Sequence, residues 1–326
     1  MGEWGAGVIF YRQDPAMLAL ALVAALVWDS VWGEMANVWH PVVYMGRTIR
    51  LGRDLGLRTV RGPFGQLLWG AAMAMVIPGL FTILAMGLLA ASHRLGAVWE
   101  GLLSVYLLKS SFAIRALRDA AFDVKKALAT EDLERSRFAL RSLCSRDAST
   151  LEAKDIASAT IGSLAENLSD SVVAPLFFFL VFGIPGAICY RVVNTMDAIV
   201  GYRGKYEYLG KVPARLDDLL NLIPARITAC LLLLASIWDL EVCRRAAHIL
   251  RRDRRKTPSP NGGWPMSTMA GLLRVEVNKI GVYSLGDPVR PLSSGSIDEA
   301  WQFARAATCL LGAAAITLLV VQALWI

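Results

Sequence analysis

The stretch from residue 194 to residue 226 has the residue types needed to bind a phosphate group and its metal ion. It holds acids, amides and arginines between two strongly apolar segments, namely Asp197, Asp217, Asp218, Asn194, Asn221, Arg203, Arg215 and Arg226. Charged side chains at membrane depth are unfavourable unless they are paired, hydrated or functional. So many of them in one apolar context mark this stretch as the candidate site.

The spacing of the acids suits a magnesium ion. Glu166 and Asp170 are four residues apart, as are Asp217 and Asn221, and this spacing places each pair on one face of a continuous helix. Mg²⁺ binds hard oxygen ligands, usually a few carboxylates together with phosphate oxygens and water. We therefore expect the metal ligands among Glu166, Asp170, Asp217 and Asp218.

Three arginines complete this candidate site. Arg203, Arg215 and Arg226 carry planar guanidinium groups that can hold two phosphate oxygens at once. The alternative is that the acids and arginines are helix caps and interhelical ion pairs. That alternative stays open for each individual residue, although the size of the group favours a functional interpretation.

Two further motifs could take part. The loop Ser259-Pro-Asn-Gly-Gly-Trp-Pro265 combines rigid prolines with glycines that can adopt positive φ and let backbone amides approach an anion. It could equally be an ordinary surface turn. The pair His40-Pro41 offers a base or a hydrogen-bond donor, or else a turn whose imidazole is already satisfied.

The composition indicates an integral membrane protein. Of 326 residues, 55% are hydrophobic, and the mean hydropathy is +0.46, above the 45–50% apolar content of soluble domains. The net charge of +7 comes from arginines in short connections, as the positive-inside rule predicts. No nucleic-acid module accompanies them, so we expect no nucleic-acid partner. Five scattered cysteines without a CxxC motif and three separated histidines argue against a disulfide framework or a zinc site.

Apolar segments of about 20 residues predict an all-α, polytopic fold in the cell membrane. They cover residues 15–32, 65–92, 97–113, 171–193, 219–238 and 301–326. We interpret residues 1–326 as one membrane-embedded domain, with 109–168 as a cytoplasmic helical insert and 239–300 as a cytoplasmic loop region. Gly183-Ile-Pro-Gly186 and Pro224 interrupt the two central segments. Broken helices at membrane depth line protein-buried or hydrated cavities, so we expect a re-entrant bowl that faces the cytoplasm.

Taken together, the motifs resemble the adenosylcobinamide-phosphate synthase family of cobalamin biosynthesis, known as CbiB or CobD. The resemblance covers nearly the whole chain, and many ordered motifs carry it. They include His40-Pro-Val-Val-Tyr-Met-Gly-Arg47, Ser163-Leu-Ala-Glu-Asn167, Tyr190-Arg-Val-Val-Asn-Thr-Met-Asp197, Gly201-Tyr-Arg203, Ala214-Arg-Leu-Asp-Asp218, Asn221-Leu-Ile-Pro-Ala-Arg226 and Ser259-Pro-Asn-Gly-Gly-Trp-Pro265.

The resemblance implies an amide ligation between adenosylcobyric acid and aminopropanol or its O-phosphate, driven by ATP with Mg²⁺. It also implies contact with membrane lipid and association with other enzymes of the corrinoid pathway. We assign catalytic roles to Glu166, Asp197, Asp217 and Asp218. The residues expected to bind substrate or phosphate are His40, Asn167, Asn194, Tyr202, Arg203, Arg215, Asn221, Arg226, Ser259 and Asn261.

The chain departs from the family pattern at two positions. Gly162 stands where a glutamate is expected, and Ser171 replaces a usual glycine. Two other functions remain as alternatives: an intramembrane, Mg²⁺-dependent prenyl or CDP-alcohol transferase, and a non-enzymatic membrane signalling or transport protein.

Overall fold

The structure is a computed structural model that describes residues 14–144, 147–202 and 204–325, most of them in helices. The helices are α1 (Pro15–Val31), α2 (Pro41–Thr59), α3 (Pro63–Leu95), α4 (Ala97–Ser111), α5 (Ile114–Ala129), α6 (Leu133–Leu140), α7 (Ala153–Leu168), α8 (Ala174–Val200), α9 (Lys211–Leu220), α10 (Leu222–Ala235), α11 (Leu240–Asp253), α12 (Gly263–Leu273) and α13 (Ser294–Leu324). A π-helical turn, Ser169–Val173, joins α7 to α8. Strands β1 (Glu276–Lys279) and β2 (Tyr283–Gly286) form an antiparallel hairpin.

The described residues confirm an all-α polytopic membrane protein. Four helical stretches among them are long and apolar enough to cross a membrane, namely Pro63–Leu95, Ala97–Ala129, Ala153–Val200 and Ser294–Leu324. The pair α9 and α10 adds a fifth if its two helices count as one broken span. Helix α1 is apolar but has only 17 residues, at the short end of the lengths that cross a bilayer.

Helix α8 is broken where the sequence predicts. Gly183 takes φ 67° and ψ −164°, a conformation that only glycine adopts readily. The rings of Phe178 and Tyr190 stack with their centroids 5.1 Å apart. Twelve residues of straight helix would separate these rings by about 18 Å, so the chain folds back sharply at Gly183.

The second break lies at a different residue from the predicted one. The helices α9 and α10 meet at a 45° bend, and the residue between them is Asn221, not Pro224. Pro224 instead occupies the first turn of α10, where a proline costs no intrahelical hydrogen bond. The prediction of a broken helix is confirmed, whereas its position was wrong by three residues.

The described residues form two compact units. In the first, which contains residues 14–112, 175–217 and 314–325 where described, α1 packs on α4 and α2 on α3. The indole of Trp69 donates to the carbonyl oxygen of Gly52 at 2.9 Å and so joins α3 to α2. In the second, which contains residues 113–174 and 218–313 where described, α7 is buried along most of its length and packs against α5, α6, α12 and β1.

The region 239–300, predicted as a loop region, contains α11, α12 and the hairpin of β1 and β2. One aspartate connects α11 to the hairpin. Asp253 is the last residue of α11 and is fully buried. Its carboxylate accepts hydrogen bonds from Arg252 at 2.8 Å, from Lys256 at 2.5 Å and from the backbone amide of Gly286 at 2.8 Å. Burial raises the pKa of Asp253, but the hydrogen bonds from Arg252, Lys256 and Gly286 outweigh it and hold that pKa well below its ordinary value. The ionised carboxylate thus fixes β2 to α11.

We predict that Asp253→Asn lowers the free energy of unfolding at pH 7 by about 2 kcal/mol, since it removes a buried, charge-assisted acceptor. A depressed pKa means that the stabilisation is present above the ordinary value of 3.8 and fades as the pH falls below it. The melting temperatures of variant and wild type should therefore converge in acid. Glu134→Gln, which removes an exposed ion pair with Arg137, should leave the melting temperature nearly unchanged. Equal effects of the two changes would contradict this account.

Candidate functional site

Asn261 is the residue around which the polar groups of the second unit assemble. Its amide nitrogen donates to the carbonyl oxygen of Asp218 at 2.6 Å, and its amide oxygen accepts from Arg226 Nη1 at 3.0 Å. The hydroxyl of Ser259 donates to Asp218 Oδ1 at 3.1 Å. Asn261 is only 5% exposed. The structure therefore brings together four of the predicted site residues.

Close approach, not positive φ, explains the two glycines of this loop. Gly262 has φ −57° and Gly263 begins α12, so the predicted positive φ is wrong. A Cβ on Gly262 would lie 2.8 Å from Glu166 Oε1. A Cβ on Gly263 would collide with the carbonyl oxygen of Arg254. The missing side chains allow the start of α12 to lie directly against Glu166.

Trp264 holds two guanidinium groups on its indole ring. The guanidinium carbon of Arg226 lies 4.5 Å from the ring centroid, and that of Arg254 lies 5.0 Å from it. Two cations on one aromatic ring repel each other, and an anion between them relieves that repulsion. Arg254 is a further candidate site residue, which the sequence did not single out because it lies in the basic run 251–256, typical of a cytoplasmic connection.

The second unit therefore contains both oxygen donors and a pair of cations. The candidate metal ligands are the carboxylates of Glu166 and Asp218, the hydroxyl of Ser259 and the amide of Asn261. Among the described residues, no three His, Cys, Asp or Glu side chains form a metal site by themselves. The donor set still fits Mg²⁺, which needs only one or two carboxylates when phosphate oxygens and water complete its shell.

Several other predicted residues lie in the first unit. Asn194 Nδ2 donates to Asp217 Oδ1 at 3.3 Å, and Asp217 is 9% exposed. Asp197 lies at the end of α8, and its carbonyl oxygen accepts from the amide of Gly201. Tyr202 and Arg215 are more exposed. Arg203 lies outside the described residues.

Three predicted residues belong to helix ends in the second unit. Asn167 donates to the carbonyl oxygen of Ser163 at 2.9 Å, within α7. Asp170 lies in the π-helical turn, and Asn221 is the residue that precedes α10. Their roles in binding remain predictions.

His40 has protein partners for both ring nitrogens. Its Nδ1 accepts from the amide of Val42 at 3.2 Å and caps α2, while Nε2 lies 2.9 Å from Glu34 Oε2. Because Nδ1 is an acceptor, the ring is neutral and Nε2 carries the proton. The satisfied imidazole that the sequence left as an alternative is therefore the observed arrangement, and a further bond to substrate would have to displace one of these partners.

The two departures from the family pattern fall at packed positions. A Cβ on Gly162 would lie 3.1 Å from Val277 Cγ1, so this face of α7 lies against the hairpin. The carbonyl oxygen of Ser171, in the π-helical turn, accepts from the amide of Ala113 at 3.0 Å. Gly162 therefore has a packing role, whereas the Ser171 bond involves only the backbone and does not explain the serine.

The fold and these contacts define a polytopic helical membrane protein that carries a cluster of acids, amides and arginines. The sequence profile of the CobD/Cbib protein family matches residues 22–310. The cobalamin biosynthesis protein CobD of Dehalococcoides mccartyi is 45% identical over 275 residues, 84% of this chain and 89% of that protein. The chain belongs to the CobD/CbiB family.

Two further relatives show the range of this similarity. A probable cobalamin biosynthesis protein CobD from Pyrococcus furiosus is 42% identical over 269 residues, 81% of this chain and 86% of that protein. The cobalamin biosynthesis protein CobD of Klebsiella pneumoniae is 35% identical over 292 residues, 87% of this chain and 92% of that protein. No solved structure matches the chain significantly.

We predict that Gly263→Ala destabilises the protein by about 1–3 kcal/mol, because the new methyl group would collide with the backbone carbonyl oxygen of Arg254, which cannot move aside as a side chain can. Gly87→Ala is the matched control, since a Cβ there meets nothing within 4 Å. It should be neutral or slightly stabilising through its better helix propensity. Thermal unfolding in detergent measures both variants. A neutral Gly263→Ala would mean that the start of α12 does not lie against the carbonyl oxygen of Arg254.

Proposed function

We propose that the chain acts in cobalamin biosynthesis as a carbon–nitrogen ligase that joins adenosylcobyric acid to aminopropanol or its O-phosphate, with ATP as co-substrate and Mg²⁺ as cofactor. Membership of the CobD/CbiB family and the names of its relatives support the pathway. The observation that carries the reaction type is the pair of guanidinium groups on Trp264, one of which, Arg226, is linked through Asn261 to the backbone of Asp218.

The first step of the proposed reaction activates the carboxylate. An oxygen of the corrinoid carboxylate attacks the γ-phosphorus of ATP, the bond to the bridging oxygen breaks, and ADP leaves. Arg226 and Arg254 would neutralise the charge that the transferring phosphoryl group carries. Asp218 and Glu166 would hold Mg²⁺, with Ser259 and Asn261 beside them, and the bound ion would add further neutralisation of phosphate charge.

The second step forms the amide. The amine nitrogen attacks the carbonyl carbon of the acyl phosphate, a proton leaves the nitrogen, and the carbon–oxygen bond to phosphate breaks. Inorganic phosphate is then released. A carboxylate within reach of the amine would accept the proton, and Glu166, which reaches the loop at Gly262, is the residue that we propose.

The transferase alternative receives no support from the acids. Such an enzyme would need a repeated aspartate motif with i,i+4 spacing on two helices, and only Asp217-Asp218 comes near it.

The direct test incubates purified protein with adenosylcobyric acid, aminopropanol phosphate and MgATP and follows the corrinoid by mass spectrometry. We expect the mass of the amide product, dependent on both ATP and Mg²⁺. A repeat with aminopropanol shows which amine is used. No product with either amine, while an established ligase of this type works in the same assay, would refute the proposal.

Matched variants test the site. Asp218→Asn keeps the hydrogen bond from Ser259 but removes the charge, and we expect product formation to fall at least 100-fold. Arg254→Gln should lower it about 100-fold for loss of one phosphate-neutralising cation. Arg255→Gln is the control, because the neighbouring Arg255 is exposed. Equal activity of the two arginine variants would remove Arg254 from the site.

We further propose that the protein lies in the cell membrane with this site facing the cytoplasm, as the arginine-rich connections indicate. In a chain whose five cysteines are replaced by serine, Glu207→Cys in the exposed α8–α9 connection should react with an impermeant maleimide only in inverted vesicles. Arg94→Cys, at the exposed end of α3, should react only in intact cells. The reverse labelling pattern would contradict the orientation.

A further inference from the structure

A cavity of about 600 Å³ in the first unit has mostly aromatic walls. Trp28 and Trp32 come from the last turn of α1 and pack edge to face, with ring centroids 6.3 Å apart. Trp39 comes from the α1–α2 connection and Tyr106 from α4. The hydroxyl of Tyr106 donates to the carbonyl oxygen of Trp39 and ties these walls together.

A buried cluster of charges reaches the same cavity through Glu34. Lys109, which is fully buried on α4, lies 3.0 Å from Asp29 Oδ1 and 3.0 Å from Glu34 Oε1. Glu34 also lines the cavity, and its side chain is 30% exposed. Burial raises the pKa of Glu34, but the hydrogen bond from His40 and the charge and hydrogen bond of Lys109 outweigh it and hold that pKa below its ordinary value.

This cluster has an excess of negative charge. Asp29 and Glu34 contribute two carboxylates and Lys109 one ammonium group. His40 contributes none, because its Nδ1 accepts the hydrogen bond from Val42 and the ring is neutral. The formal sum is therefore one negative charge beside an aromatic wall.

We propose that this cavity binds an organic ammonium group. Aromatic ring faces attract cations through their quadrupoles, and quaternary ammonium ligands are recognised in this way. The carboxylate of Glu34 adds a charge of the right sign at the edge of the same cavity. An anion would meet the opposite field. The volume exceeds that of one ammonium group, so the ligand has room for the chain that carries it.

Two kinds of molecule carry an organic ammonium group, namely free amines and lipid head groups. The proposal does not rest on the ligase function, since it uses none of the groups placed at the proposed phosphate site.

The test compares choline with 3,3-dimethylbutan-1-ol, its uncharged isostere, on the full-length protein in nanodiscs of phosphatidylglycerol. Calorimetry should give saturable binding of choline and binding of the isostere at least tenfold weaker. Glu34→Gln keeps an acceptor for Lys109 or His40 and should weaken choline binding about tenfold. Trp39→Leu removes one wall and should weaken it as well. Trp238→Leu is the control, because Trp238 is 94% exposed and does not line the cavity.

Adding competitors to the same assay shows whether the ammonium group belongs to a free amine or to a lipid head group. Competition by aminopropanol, with no effect of phosphatidylethanolamine in the nanodisc, would identify a free amine. Loss of choline binding when phosphatidylethanolamine is present would identify a lipid head group. Equal binding of choline and its isostere, no saturable choline binding, or unchanged choline binding in Glu34→Gln and Trp39→Leu would overturn the proposal.

Discussion

Pairing of charge inside an apolar chain is the constraint on which this structure depends. A fully buried ammonium or carboxylate is unfavourable by several kcal/mol unless an opposite charge and hydrogen bonds compensate it. Lys109 meets this requirement between Asp29 and Glu34, and Asp253 meets it between Arg252 and Lys256. Each of these two clusters joins elements that are distant in sequence, α1 to α4 and α11 to β2.

The proposed phosphate site follows the same rule with a different result. Arg226 is held by the Asn261 amide and by Trp264, neither of which neutralises its charge. Arg254 shares the same ring. Amides and an indole position these cations but leave their field available for an anion. Where opposite charges balance, as for Asp253 and Asp287 with Arg252 and Lys256, the cluster is structural, and where a net charge remains, the cluster is suited to a ligand of opposite charge.

Much of the fold was predictable from local chemistry. Apolar runs long enough to cross a membrane predicted the long helices, and Gly183 with Pro185 predicted the break in α8. The break at Asn221 was misplaced because a proline in a first helical turn looks, in sequence, like one that interrupts a helix. The hairpin of β1 and β2 was not predicted, since two strands of four residues carry little periodic signal.

The residue types of the candidate site could be predicted from the sequence, but not which of these residues contact one another. Asn261, Ser259, Asp218 and Arg226 were predicted and do meet. Asp217 differs from its neighbour Asp218, because it accepts a hydrogen bond from Asn194 in the first unit. That distinction depends on helix rotation and on tertiary packing, which spacing alone does not determine. Arg254 was missed for a related reason, since only the fold separates it from the other arginines of its basic run.

The central claim is that the protein transfers a phosphoryl group to the corrinoid carboxylate before the amine attacks. Adenosylcobyric acid labelled with ¹⁸O in the reacting carboxylate tests it in one turnover. If an acyl phosphate forms, one ¹⁸O atom appears in inorganic phosphate, because the carbon–oxygen bond breaks when the amide forms. Label in AMP, or phosphate without label alongside amide product, would contradict the account.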